Sequence, residues 1–310
     1  MNRNDLMHLM AERAALTRMI AETPEEDVID RASLSIRLEK VERQIKANPL
    51  PEREPARAVL TFKGRPVVGS HGIFAAFGMK AVNHFTEAVA AVAASLDGGL
   101  AAKGPIPNKG QNQLLITNTA LGSFGFELEE HPGATLAQGE QSMLGTALER
   151  TQNLLQGTIN PDDELLADSA AGLDQRTLDR VRTFVNTLDE NEAVCALQIG
   201  DRVFRFSDLI QVQRSLARIS QDNLREEEVL QTGQFVGVMP AKKREFEFQL
   251  QGNDEVIVGK IGPNITNPAE LTAHLCEAVR VKLMSTRVGN GKPRYVLTEM
   301  PEWEVETIAM

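Results

Sequence analysis

Asn48-Pro49-Leu50-Pro51-Glu52-Arg53-Glu54-Pro55 places three prolines among charged residues within eight positions. Proline fixes φ and donates no backbone hydrogen bond, so neither a helix nor a central strand runs through such a stretch. It reads as a semi-rigid linker and sets the strongest boundary in the chain. Before it the apolar residues recur with a helical period. After it, strand and helix patterns alternate.

Residues 1–47 predict an antiparallel helical hairpin. Leu6, Leu9, Leu16 and Ile20 mark one apolar stripe, and Leu34, Leu38, Val41 and Ile45 the other. Thr23 is expected to cap the second helix, with Pro24 at its first position and Glu26 completing a capping box. Arg13 lies on the first stripe and is expected to snorkel to solvent or to pair with an acid. Each helix is only two or three heptads long, too short to be stable alone. The coiled-coil-like stripes therefore need cover, from a partner protein or from a second copy, through residues 6–45.

Residues 56–231 show two short strands followed by a helix three times, at 58–96, 114–156 and 194–219. In the first unit, Ala58–Phe62 and Pro66–Val68 read as a hairpin about Lys63-Gly64. Gly69-Ser70-His71-Gly72 then leads into a long helix striped by Ile73, Phe77, Ala81, Phe85, Val89, Val92 and Leu96. Ser207 is expected to cap a helix carrying Ile210, Leu216 and Ile219. This rhythm predicts an α+β domain, a mostly antiparallel sheet with helices on one face. After Glu226-Glu227-Glu228 the texture becomes short strands and turns, which predicts a small β-barrel-like domain over 232–300. The expected order is hairpin 1–47, linker 48–55, central domain 56–231, barrel 232–300 and acidic tail 301–310.

The usual signatures of catalysis are missing from this order. The five histidines are scattered, with no paired ligand spacing, so no metal is expected. No Asp/Glu-x-Lys triplet occurs, and no glycine-rich fingerprint follows a predicted strand, so no cofactor is expected either. Cys195 and Cys276 sit in apolar segments far apart and read as unpaired thiols of a reducing compartment. No run approaches the roughly 18 apolar residues of a membrane span, and Met1–Met10, charged and without a long apolar run, is not expected to act as a secretory signal. A cytoplasmic location is expected.

Three sets of candidate residues remain. Ser70 and His71 stand at a strand-to-helix junction, where unpaired N–H groups can hold an anion. Ser123, in Gly122-Ser123-Phe124-Gly125, superficially resembles a nucleophile turn, but the first glycine is out of place. With His131 it could form a polar cluster. The third set is basic. The chain carries a net charge of −10, yet residues 233–298 hold nine basic against six acidic side chains. Lys242, Lys243, Arg244, Lys292 and Arg294 cluster in predicted turns of the barrel, where they can meet phosphates.

The chain thus reads as a non-enzymatic, cytoplasmic, bacterial binding or adaptor protein within a homo-oligomer or larger complex. The alternatives are a nucleic-acid-binding component acting through the basic barrel, and a hydrolase with its site in the 69–72 or 122–131 loops.

Overall fold

The computed structural model describes residues 3–47, 55–97, 104–108, 110, 112–120, 124–131, 142–240, 243–252 and 255–303. They fall into two compact units, 3–47 and 55–303. Most of the linker, Ser123, Lys242 and the end of the tail lie outside the described residues.

The first unit is the helical hairpin, α1 (Arg3–Glu22) and α2 (Val28–Ala47). Leu16 and Val41 are buried in its seam, and Leu9, Ile20, Leu34, Leu38 and Ile45 are half-buried. Arg37 and Glu12 pair across the helices at 2.6 Å. Arg13 is exposed. The turn differs from the expectation. Thr23 donates its hydroxyl back to the Met19 carbonyl at 2.7 Å, so it closes α1 instead of opening α2. Pro24 forces that choice, because the residue before a proline is driven out of the helical region. Arg31 then donates to the Thr23 carbonyl at 3.0 Å, and α2 starts four residues beyond Pro24.

The second unit opens with β1 (Arg57–Gly64), β2 (Val67–Val68), β3 (Gly72–Ile73) and α3 (Ala75–Leu96). Next come β4 (Leu114–Ala120), β5 (Phe124–Glu130), α4 (Met143–Ile159), α5 (Asp163–Ala170) and α6 (Gln175–Glu190). β6 (Ala193–Ile199), β7 (Arg202–Arg205) and α7 (Leu209–Arg218) complete the central part. Its five-stranded sheet has the order β4-β5-β1-β6-β7, and every neighbouring pair is antiparallel. Strand side chains alternate faces. Ala58, Leu60, Phe62, Leu128, Cys195, Leu197 and Phe204 point to the helices and join Phe85, Val89, Leu148, Leu155 and Phe184 in one core. The fold is therefore α+β with the helices on one face.

The expected β1–β2 hairpin does not form. β1 is the middle strand, and both its edges are occupied, by β5 and by β6. Gly64, at φ +111°, turns the chain out of the sheet, and β2 pairs with β3 in a separate two-stranded ribbon. A helix start and a cap also differ. α3 begins after Phe74, beyond the 69–72 turn, and Asp208, not Ser207, caps α7 by accepting from the Gln211 N–H at 2.8 Å. On α7, Val212 and Ser215 are buried while Ile210 faces solvent.

The barrel comprises β8 (Leu224–Met239), β9 (Glu245–Leu250), β10 (Val256–Ile261), a 3-10 helix (Pro268–His274), β11 (Ala278–Val288) and β12 (Arg294–Leu297). It is closed in the order β10-β12-β11-β8-β9. All its pairs are antiparallel except β10 with β12. Numbered within the barrel, the circuit is first, second, third, fifth, fourth, first, with a helix between third and fourth. That is the topology of an OB-type barrel. β8 serves two neighbours because it is long, about 50 Å of contour at ~3.3 Å per residue. It pairs with β11 over its first part and with β9 over its last, with an irregularity between Phe235 and Gly237. β8 starts at Leu224, so the acidic run 226–228 lies inside the first barrel strand, not ahead of the barrel. Leu224 and Val288, paired at the start of β8, belong to the central core. Barrel and central sheet thus share apolar packing.

Gly233 sits on β8 where β9 crosses closest. A methyl group there would run into the Gln249 carbonyl and lie 2.8 Å from Phe248 Cε1. Gly233→Ala is expected to destabilise the chain by at least ~2 kcal/mol in chemical denaturation, because backbone on that side cannot yield.

Candidate functional site

The barrel carries the largest share of the candidate residues, and its strand period decides what it displays. Phe235, Phe246 and Phe248 point inward and pack edge to face at 5.0–5.8 Å. Their neighbours in sequence point outward. On β9 these are Glu245, Glu247 and Gln249; on β10 they are Val256, Val258 and Lys260. In register, Lys260 lies opposite Glu245, Val258 opposite Glu247, and Val256 opposite Gln249. β8 adds Gln234, whose amide donates to Gln249 at 2.9 Å, and exposed Val236 and Met239. The face mixes aliphatic side chains with both signs of charge. Phe235, Phe246 and Phe248 lie in the interior, so among the described residues of β8, β9 and β10 the outer face offers no ring on which a base could stack. Trp303 is half-buried, stacked on His274 at 4.0 Å, and Tyr295 packs against the barrel core.

Two basic loops flank β10. One leads from β8 to β9 and holds Lys243 and Arg244. The Ile261 N–H at the end of β10 donates to the Arg244 carbonyl at 2.7 Å. The other leads from β11 to β12 and holds Lys292, just before Arg294. The next residue, Tyr295, pairs with Gly259 of β10. Two of the expected phosphate-binding cations have internal work. Arg244, at φ +49°, donates to the carbonyls of Ile261 (3.2 Å), Gly262 (2.6 Å) and Ile265 (2.9 Å), tying down the chain that leaves β10. Arg294 pairs with Asp168 at 2.5 Å and Glu164 at 3.1 Å on α5, fastening β12 to the central helices. Those hydrogen bonds, Asp168 foremost, hold its guanidinium proton more tightly than usual. Lys243 and Lys292 are exposed. Lys260, not singled out from the sequence, stands on the same face.

Ser70 and His71 are exposed in the turn between β2 and β3, where the His71 N–H donates to the Val68 carbonyl at 3.0 Å. α3 begins at Ala75, so the Ser70 hydroxyl is not its cap. His131 follows β5, and Ser123 lies outside the described residues. Among the described residues, no group of three His, Cys, Asp or Glu could hold a metal ion. None of their helices is long and apolar enough to cross a membrane. Cys195 is buried in the central core, and desolvation raises its thiol pKa far out of the reactive range. Cys276 is an exposed thiol.

One titratable group escaped the sequence reading. Glu226 lies on the side of β8 that turns toward α6, opposite Thr286 of β11. It accepts a hydrogen bond from the Gln175 N–H at the start of α6. Asp174, the cap of that helix, holds the Thr177 N–H at 2.8 Å. Burial first, and the Asp174 charge second, push the Glu226 carboxyl up to about 7, against the pull of the Gln175 N–H. Thr286 is fully buried, and its hydroxyl has no partner among the described residues. In sequence, Glu226 belongs to a run of three acids that looks like a solvated patch. Strand parity does not tell it apart, because Glu228 shares it and is exposed; the start of α6 makes the difference.

No family model matches this chain, and neither a curated protein nor a solved structure matches it. The residues alone carry the functional reading.

Glu226 also fixes a pH dependence. Its folded pKa lies above the ordinary 4.5, so between about 4.5 and 7 the unfolded chain gives up this proton first. Folding stability therefore falls as pH rises through that window, and the whole cost is present above it. Glu226→Gln is expected to raise stability by about 1–3 kcal/mol near pH 8 and by little near pH 4.5. Urea midpoints across that range check the sign.

Proposed function

We propose that this chain is a non-enzymatic binding protein that assembles with copies of itself through its helical hairpin and presents the barrel face to a protein partner. The carrying observation is the hairpin's exposed apolar surface. Over two helices of 20 residues each, only Leu16 and Val41 are fully buried among the described residues. Ile29 is 83% exposed and Ile36 66%, with Val28, Met7 and Met19 also exposed. Ile29 and Ile36 are two turns apart and so share one face of α2. Helices in proteins owe most of their stability to the packing of an apolar face. Burying one isoleucine is worth about 1.5–3 kcal/mol, and a matching stripe from a second hairpin buries two from each copy.

Charge favours the same occupant. Residues 3–47 hold eight basic and nine acidic side chains, whereas the whole chain carries −10. Two hairpins can meet without the repulsion that keeps the remainder of the molecules apart. The barrel face, with Val256, Val258 and Met239 among Glu245, Glu247 and Lys260, suits a polypeptide surface better than a stack of bases. Ile29→Glu with Ile36→Glu is expected to reduce the sedimenting mass at least twofold, with unchanged far-UV circular dichroism. An unaltered mass refutes hairpin assembly.

A second reading, nucleic-acid binding, is favoured by one observation: the loops bearing Lys243 and Lys292 flank β10 of an OB-type barrel. It predicts binding of a single-stranded oligonucleotide that weakens steeply from about 50 to 200 mM salt. Lys243→Glu with Lys292→Glu should weaken it at least tenfold in fluorescence anisotropy. No binding by the intact chain at low salt removes this reading.

A further inference from the structure

Three barrel strands present a row of side chains to the corner between α5 and α6. In register, Glu226 of β8 lies opposite Thr286 of β11, and Thr286 lies opposite Arg294 of β12. Residues directly opposite one another in a ladder share a face. The α5–α6 corner lies against that face: a Cβ on Gly172 would stand 3.7 Å from Val296 Cγ2, and Val296 follows Arg294 on the same side of β12. The two ends of the row are held differently. Arg294 pairs with Asp168 and Glu164 of α5, which carry the opposite charge. Glu226 receives the Gln175 N–H at the start of α6 and stands near Asp174, a like charge. Further along the same face of β8, Glu228 is paired with Lys282 of β11 at 3.1 Å. Between the ends Thr286 is fully buried, and its hydroxyl has no partner among the described residues.

We propose that this row is a proton-operated latch between the barrel and the central helices. With Glu226 protonated, its end of the row closes on α6. With Glu226 ionised, that end lifts, while Arg294 keeps the other end on α5. The chemistry of a carboxyl accounts for the difference. Protonated, it has an O–H to offer the orphaned Thr286 hydroxyl and still accepts from Gln175. Ionised, it has no proton to donate, and it faces Asp174 where burial withholds water. Lifting returns it to solvent and relieves both costs. Arg294 stays charged at either setting, so the opposite end does not follow. Leu224 and Val288, at the end of the β8–β11 ribbon, are anchored in the central core and confine the movement. A carboxyl at about 7 when closed and near the ordinary 4.5 when lifted makes the lifted form about 70-fold more populated at pH 8 than at pH 5. By reciprocity, a partner that holds the barrel down takes up a proton in this range. The latch does not depend on what the barrel binds.

The test is hydrogen exchange of the full chain at pH 5 and pH 8, corrected for the intrinsic rise of exchange with pH. Peptides covering 173–178, 224–232 and 282–288 are expected to lose protection at least tenfold at pH 8. Their exchange is expected to be insensitive to about 1 M urea, because a local opening exposes little surface, whereas the core peptides 57–64 and 245–250 respond to urea. Glu226→Gln is expected to abolish the pH effect, and Glu227→Gln, on the other face of β8, to leave it intact. Asp174→Asn keeps the helix cap but removes the like charge, and is expected to shrink the effect at least twofold; it carries the test should Glu226→Gln fail to fold. Equal protection at both pH values overturns the latch. So does exchange at these peptides that follows urea in step with the core, since that marks global unfolding alone. A pH effect that survives Glu226→Gln, or is unchanged in Asp174→Asn, overturns it as well.

Discussion

β1 organises the second unit. It is the middle strand of the sheet, flanked antiparallel on both sides, and its alternate residues Ala58, Leu60 and Phe62 are buried beneath the helices. Phe62 meets Phe77 of α3 edge to face at 5.3 Å. The helices that cover this strand, α3, α4 and α6, pack through the same core. Because both edges of β1 are occupied, β2 is excluded from the sheet, and the chain must leave through Gly64. The turn carrying Ser70 and His71 is placed on the surface by that exclusion. A single saturated strand thus determines where the first candidate residues lie.

The barrel is tied to this core at one end and closed on itself at the other. Leu224 and Val288 enter the central core, and Arg294 bridges to Asp168 and Glu164. Exposed pairs of this sort contribute little alone, but Arg294 grips two carboxylates and is itself partly shielded. At the far end Arg244 holds three carbonyls. Arginines that look like ligand-binding cations in sequence therefore have structural work. The outer face between them is shaped by the inward turn of Phe235, Phe246 and Phe248, which fills the barrel and leaves aliphatic and mixed-charge residues outside.

Much of the architecture was legible because it rests on periodicity. α1, α2 and α3 fall on the apolar stripes that announced them. The β1–β2 hairpin and the start of β8 differ from expectation for one reason: the deciding partners, β5, β6 and β11, come from elsewhere in the chain. β8 shows this best: its first part pairs with β11, which begins at Ala278, well after β8 ends at Met239.

The amino-acid sequence by itself determined the helical hairpin, the α+β class, the barrel and the uneven distribution of charge, because period, turn residues and net charge are local properties. Tertiary structure decided which groups meet. It set Glu226 against the start of α6 and turned Arg244 and Arg294 to internal partners. Those outcomes depend on burial and on strand order, which bring together residues that no local pattern relates.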